Sequence, residues 1–449
     1  MASNKTPNLG LDIWQPDDFF KRAEVNNNFT KLDDKIGTLQ TSVIDNINKT
    51  SDNSNSITAL QKNKTDWKNI REIYGAIGDG SLHPLNTIYG SQTAAITKYP
   101  FLTQWLSINT SVNWGTLEVD WCAINQAIAD AVDGDTIYHP KGSYRVNQPT
   151  HLKAGVRYKG DSTVGYHNGV ANYADVNDTN IKTTRIKATG DIQVGIFNYA
   201  VGTENKRSVV IENLILEGNT KSKNAIYIYG TAGSLKESNL VMESVGIQTT
   251  SSHGILLENV LTCKFNKLNI GACNGYGIKA SYGFSDSMIK DTYIHTCQSG
   301  GISLSDGSSW IQITGGKIED NYGYGVEITK GTVGCDFINI QNVGFHRNNK
   351  AAVYVSGSKA RVGNSTFNNN GLTQTGANKC HVLAANGATL RVNDNDMGSG
   401  ATYGIYSTGT NTKAYALGND IAIAAANALY ADLNGSIEGR DNILNGVLT

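Results

Sequence analysis

Proline is scarce in this 449-residue chain, 6 residues against 48 glycines, and no run of lysine or arginine interrupts a formal net charge of −1. Turns must then be made by glycine and asparagine, which tolerate left-handed backbone angles, and rarely by the fixed φ of proline. Without a basic run the chain lacks the concentrated positive charge that nucleic acid or an anionic membrane surface requires, so neither is an expected partner. No stretch approaches the ~18 apolar residues of a membrane span. The opening "MASNKTPNLGLDIWQPDD" lacks the basic-then-apolar pattern of a secretory leader. The expectation is a protein made in a cytosol that reaches the outside of a cell by another route. The 6 cysteines, Cys122, Cys263, Cys273, Cys297, Cys335 and Cys380, show no CxxC or other metal-ligand spacing. They read as small buried apolar side chains in a reduced protein, and no metal or cofactor is expected.

What the chain does have is length and repetition. A 3,4 apolar spacing runs through Phe29, Leu32, Ile36, Leu39 and Val43, continues through Asn46, Thr50 and Asn53, and resumes at Ile57, Leu60, Lys64 and Trp67. A seam of this length predicts a coiled coil, with Asn46 and Asn53 at d fixing register and favouring three parallel chains. Four segments follow: an attachment segment at 1–28, the coiled coil at 29–68, an entry module at 69–200 and a repeat region at 201–449.

In the entry module, "REIYGAIGDGS" precedes "DWCAINQAIADAVDGDTIYHPKGSYRVNQPTHLKAGVRYKGDS". Ile124, Ile128, Ala131 and Val132 predict a short amphipathic helix, and "DGDTIYHPKGSYRV" predicts two extended segments about a Pro-Gly turn. This ordered series resembles the opening module of the pectate-lyase-like superfamily of right-handed parallel β-helices, found in polygalacturonase-type enzymes and many bacteriophage tailspikes. The resemblance implies an all-β solenoid. One departure is residues 81–119, an insertion where the family usually has only a few residues.

The repeat is visible without that resemblance. One register reads "IENLIL", "FNKLNI", "IKDTYI", "ITGGKI", "IQNVGF", "VGNSTF" and "VNDNDM". A second trails it as "AIYIYG", "GILLEN", "GIKASY", "GISLSD", "GVEITK", "AVYVSG", "GIYSTG" and "ALYADL". A period near two dozen residues predicts stacked coils with parallel strands, roughly 4.8 Å apart, over nine or ten turns. Aligning the closing apolar residues as Leu216, Met242, Ile270, Ile294, Ile318, Phe345, Phe367, Met397 and Ile421 assigns the neighbouring columns. Three positions on, Asn219, Val245, Cys273, Cys297, Asn321, Asn348 and Asn370 form an expected inward ladder. One position on, Glu217, Glu243, His295, Glu319 and His346 are expected to face solvent.

The segment "GKIEDNYGYGVEI" (Gly316 to Ile328) concentrates Glu319, Asp320, Tyr322, Tyr324 and Glu327. With His295, His346, Arg347, Tyr276 and Tyr354 it gathers titratable and aromatic side chains that the later coils are expected to lack. Extended glycans suit such a surface, since sugar rings stack on aromatics while their hydroxyls bond to carboxylates and amides. Glycosidic hydrolysis needs two carboxyl groups, roughly 5 to 9.5 Å apart. Glu319 with Asp320 or Glu327 is one candidate set, and Glu217 with Glu243, expected on successive turns, is a rival. β-Elimination needs a base and a cation, for which His295, His346 and Arg347 would serve. Tyr322, Tyr324, Tyr276, Tyr354, His346 and Arg347 are the expected sugar contacts. The polygalacturonase signatures are absent: "SSHGI" and "IEDN" are only partial matches, so no catalytic residue carries over from the family.

The expectation is a homotrimeric virion tail appendage that binds and depolymerises a bacterial surface polysaccharide (capsule, exopolysaccharide or teichoic acid), docked to the phage tail or baseplate by its N-terminus. The alternatives are a lyase and a non-catalytic adhesin.

Overall fold

The computed structural model describes residues 4–5, 12–13, 22–65, 67–161, 183–201, 208–230, 236–375, 379–423, 429–432, 434–444 and 447–448. Most of the attachment segment, part of the entry module, and Ala428 and Leu433 of "ALYADL" lie outside them. Contacts divide the chain into two units, Met1–Asp66 and Trp67–Thr449.

The first unit contains one long helix, α1 (Arg22–Thr65). Phe29, Ile36, Leu39 and Val43 of the seam lie between 43 % and 66 % exposed along it. The seam stops short of its expected end. Trp67 opens a strand, Trp67–Asn69, paired in parallel with Thr136–Tyr138, and its ring packs 5.2 Å from that of Tyr138.

In the second unit each complete coil supplies one to three strands to a 26-stranded sheet and one to an 11-stranded sheet. A line of bends folds the larger sheet into a leading and a trailing face. On the leading face Ile211, Met242, Phe265, Ile289, Ile313, Ile340, Val362 and Val392 stack in register. On the trailing face the column is Leu216, Ile247, Ile270, Ile294, Ile318, Phe345, Phe367, Met397 and Ile421. The bend between them explains the polar residue of the first register. Asn213, Ser244, Lys267, Asp291, Asn342, Asn364 and Asp394 all have φ between 48° and 57°. Asn and Asp carry that left-handed turn at less cost than most residues.

These pairings correct the expected register at one coil. Met242 belongs to the leading column, and Ile247 closes the trailing strand. The misreading arose because "VMESVGI" offers two apolar residues at plausible spacing. Val245 therefore leaves the ladder, Asn219 is half-buried and donates to Ala188 O at 3.2 Å, and Cys273, Cys297, Asn321, Asn348 and Asn370 stay fully buried in it. Asn321 donates to Asn348 Oδ1 at 3.0 Å and Asn348 to Asn370 Oδ1 at 2.9 Å, all three fully buried. Cys297 N–H donates to Asn321 Oδ1 at 3.0 Å. A second ladder, Asn395–Asn419–Asn442, lines the other bend with bonds of 2.9 Å.

The helix α2 (Val119–Asp130) closes the first coil. Asp120 explains the "YGAIGDG…D" series: its carboxylate accepts N–H bonds from Ile77 (2.6 Å), Gly78 (3.1 Å) and Arg145 (2.9 Å). Gly78 is obligatory there, with φ 64° and the Tyr144 ring 2.5 Å from where a Cβ would stand. The 81–119 insertion is helical. Leu85, Ala95, Tyr99 and Leu102 are buried within it, and Phe101 and Trp105 pack on Trp121 of α2 at 5.6 Å and 4.9 Å. It thickens the cap of the solenoid.

Candidate functional site

The trailing strands place His295, Glu319, His346 and Asn368 side by side on successive coils. Glu319 points outward yet is only 2 % exposed. Neighbours cover it: the Tyr293 phenol donates to Oε1 at 2.5 Å, Lys317 Nζ lies 2.6 Å from Oε2, and Arg347 Nη2 lies 3.3 Å from the same oxygen. Arg347 also clasps Asp320 with Nε and Nη2, both at 2.7 Å. That fork matches a carboxylate in two parallel bonds, and it raises the Arg347 pKa. Asp320 and Arg347 occupy left-handed bends, φ 53° and 49°, so the salt bridge joins consecutive turns at one corner.

The two histidines border this knot. His295 stacks on Tyr293 at 4.7 Å and sets its ring nitrogens against Thr296 Oγ1 and Asn269 Oδ1. Burial lowers its pKa, against the pull of Glu319 and Asp320. Burial, then the nearby Lys317 charge, lowers that of His346. Both shifts favour the neutral imidazole.

Across the corner, the 11-stranded sheet presents a different surface. Its outward column runs Tyr227, Leu256, Lys279, Ser303, Glu327, Tyr354, Leu383, Tyr406 and Tyr430. Glu327 is half-buried and accepts the Tyr276 phenol. Burial, then that bond, raises the Tyr276 pKa. No ion pair to Glu327 occurs among the described residues. Tyr324 stacks on Tyr354 at 4.6 Å and 15°, with Lys350 Nζ 4.8 Å over its ring. Tyr403 stacks on Tyr430 at 4.7 Å. The Tyr406 phenol donates to Asp432 at 2.5 Å, and burial with that bond pushes its pKa up to about 12. Beneath these rings Ala351, Cys380, Leu383 and Tyr406 form a small apolar cluster separate from the main core. Gly300 makes room for the strip, since a Cβ there would meet Tyr324 O at 2.7 Å and the Tyr276 ring at 2.9 Å.

The expected residues thus fall on three surfaces. His295, Glu319, Asp320, His346 and Arg347 share the trailing corner. Tyr276, Tyr324, Glu327 and Tyr354 share the third face. Tyr322, 53 % exposed, stands on the bend between the two. Glu243 is elsewhere: it aligns with Glu212 on the leading face and is held by Asn266 (2.6 Å) and Lys267 (3.2 Å). Glu217 aligns with Gln248, so the Glu217–Glu243 pair does not exist. Glu319 was expected in solvent, and the long side chains stacked around it bury it. Lys317 and Tyr293 were missed, although alternation along a strand places residues two apart on one face. Tyr403, Tyr406 and Tyr430 overturn the expectation that the later coils lack aromatics.

A family model described as a right-handed β-helix region matches residues 168–341. No curated protein matches the chain. Among solved structures, the A-module of mannuronan C-5 epimerase AlgE6 from Azotobacter vinelandii is similar at 17 % identity and TM-score 0.54, over 85 % of this chain and 98 % of that one. The fold is a right-handed parallel β-helix. The ORF18 protein of Geobacillus virus E2 is similar at 16 % identity and TM-score 0.54, over 88 % and 64 % of the two chains. The enzymatically active domain of tailspike protein 2 from bacteriophage CBA120 is similar at 13 % and 0.53, over 73 % and 49 %. At these identities the likeness is one of fold. No described helix is long and apolar enough to cross a membrane, and no metal-ligating cluster occurs among the described residues.

Proposed function

We propose that this protein is a tailspike-like polysaccharide depolymerase of a bacteriophage tail, which grips a bacterial surface glycan along the tyrosine strip and hydrolyses it where the third face meets the trailing corner. The observation that carries the reading is the unequal setting of the carboxyl groups. Glu327 accepts a phenol, has no ion pair among the described residues and lies beside stacked tyrosines, which leaves its carboxyl group open to exchange a proton with a bound sugar; Asp320, both oxygens held in the Arg347 fork at the next bend, is the second carboxyl group and is fixed in place to orient water. Glu319 is the anchor that keeps Lys317 and Arg347 in place. Tyr276, Tyr324 and Tyr354 supply ring faces for the sugars, and Tyr322 reaches over the bend.

The exposed seam of α1 supports assembly as a parallel homotrimer, since four apolar side chains left in water are stabilised by partner helices. A second reading, β-elimination from an acidic sugar, is favoured by the two imidazoles, each shifted toward its neutral form, at the corner that holds Lys317 and Arg347. One experiment separates these readings. The purified full chain is incubated with capsular, exopolysaccharide and teichoic acid preparations, and reducing ends and absorbance near ~232 nm are followed, the latter being where the conjugated product of an elimination step absorbs. Reducing ends alone are the expected result. Added absorbance converts the assignment to a lyase, and binding without either signal removes the enzymatic role.

A further inference from the structure

On the leading face, away from both groups of residues above, lies a groove of about 540 Å³ lined by Trp310, Gln312, Phe337, Asn339, Arg361 and Arg391, among others. Trp310 and Phe337 sit on consecutive coils at the entrance to their strands. Their rings stack at 4.1 Å and 15°, yet they are 58 % and 61 % exposed. Both residues adopt φ near 55°, at 55° and 58°. Bulky side chains rarely take that conformation, and this one turns the two rings outward as a single flat wall.

The outward column then continues Gln312, Asn339, Arg361 and Arg391 on successive strands. Neighbouring strands are about 4.8 Å apart, so the two guanidinium groups rise from adjacent positions. Like charges placed directly opposite repel. No acidic partner to either arginine occurs among the described salt bridges; Asp336, the carboxylate at the groove edge, is paired with Lys359 at 3.4 Å. Asn339 Oδ1 is enclosed and has no hydrogen-bond donor. An aromatic wall and two guanidinium groups with no acidic partner among the described residues thus follow one another along about three strand spacings, the length of about three sugar residues.

We propose that this groove is a second glycan site, distinct from the tyrosine strip, that takes a saccharide carrying carboxylate or phosphate groups. The sugar face rests on Trp310 and Phe337, and the anionic group bridges Arg361 and Arg391, whose planar forks suit such anions. The inference stands independently of the depolymerase reading, because none of its residues belongs to either surface used there.

The test is binding of the full chain, by titration calorimetry, to oligogalacturonate, to a glycerol-phosphate oligomer and to a neutral dextrin of the same length. At least one acidic oligomer is expected to bind and the dextrin far more weakly. Arg361→Gln with Arg391→Gln should weaken the acidic ligand at least tenfold and flatten its salt dependence, and Trp310→Ala should weaken it about fivefold, as loss of a stacked ring does. The oligomer preferred tells a uronic acid from a phosphodiester. Both arginines are exposed, so their variants should fold, and a thermal melt checks this. No binding of either acidic oligomer, or binding unchanged in the double arginine variant, overturns the proposal. So does a change of oligomeric state in Trp310→Ala, which would make the wall a contact between subunits.

Discussion

Glu319 and Glu327 are eight positions apart, both point outward from the coil, and both accept a tyrosine hydroxyl. Their surroundings are opposite. Glu319 has Lys317 and Arg347 on one oxygen and is 2 % exposed, whereas Glu327 has no ion pair among the described residues and borders a strip of stacked rings. The difference teaches that, in a β-helix, the outward direction does not settle solvent access. The identity of the side chains on the two adjoining coils decides it, so the same residue type becomes an anchor in one column and a reactive group in another.

The largest expected effect tests the reactive side of that comparison. Glu327→Gln keeps the shape and the Tyr276 contact but cannot cycle a proton. Depolymerisation, followed by reducing ends, should fall about 10²- to 10⁴-fold while glycan retention stays within about twofold. Activity within tenfold of the parent would move the acid elsewhere, with Asp320 the next position to test.

Glu319→Ala tests the anchoring side. Removing this buried carboxylate takes the counter-charge from Lys317 and the acceptor from the Tyr293 phenol, while Arg347 keeps Asp320; with the two cations 40 % and 49 % exposed, the cost is about 1 to 3 kcal/mol. Chemical denaturation should show that loss, whereas Glu327→Ala should cost under about 1 kcal/mol in the same assay. Equal losses would mean that the two carboxylates are not differently held.

Much of this contrast was legible in the sequence, and the part that was not has a physical cause. The solenoid, its two registers and the Asn321–Asn348–Asn370 ladder follow from a period, because each coil repeats the same core. The bend residues follow from backbone sterics. The coil at Met242 was misread, since one strand's apolar spacing looks like another's when a bend and a strand end are equally short. The burial of Glu319 needed the lateral neighbours two residues upstream and one coil away, a two-dimensional relation that a linear reading does not display. The groove at Trp310 escaped altogether. Its aromatics stand at the left-handed entry to the strand, outside the alternation from which outward columns are read.

Acid should separate the asparagine corner from the faces it supports. His381 lies inside the coil at the end of the ladder, where Nε2 donates to Gly398 O at 2.8 Å and Nδ1 stands 3.4 Å from Asn370 Nδ2. Burial pulls its pKa down to about 4, and that of His139 in the first coil likewise to about 4. Both folded values lie below the unfolded one, so the unfolded chain binds more protons in this window. The stability is present at pH 7 and is lost as pH falls from about 6.5 through 4, by about 3 kcal/mol for each ring. Protonated His381 would also set a donor against the Asn370 amide. Thermal melts between pH 7.5 and 4 should fall steadily, and hydrogen exchange at Asn348 should accelerate before that at Val326. A flat profile would show that the rings are charged at little cost.

The smallest effects distinguish the tyrosines. Tyr293 serves the anchor, so Tyr293→Phe should cost about 1 kcal/mol of stability by taking one hydrogen bond from a buried carboxylate. Tyr324 serves the glycan in the proposed function: its ring stacks on Tyr354 with the Lys350 ammonium 4.8 Å from its centre, and no hydrogen bond from its hydroxyl to a carboxylate occurs among the described residues. Tyr324→Ala removes a stacking face worth about 1 kcal/mol, so glycan affinity should drop about fivefold. Tyr324→Phe should restore it, because the face and not the hydroxyl makes the contact. If Phe binds as poorly as Ala, the strip recognises sugars through its phenols, and the third face is a hydrogen-bonding surface instead of a stacking one.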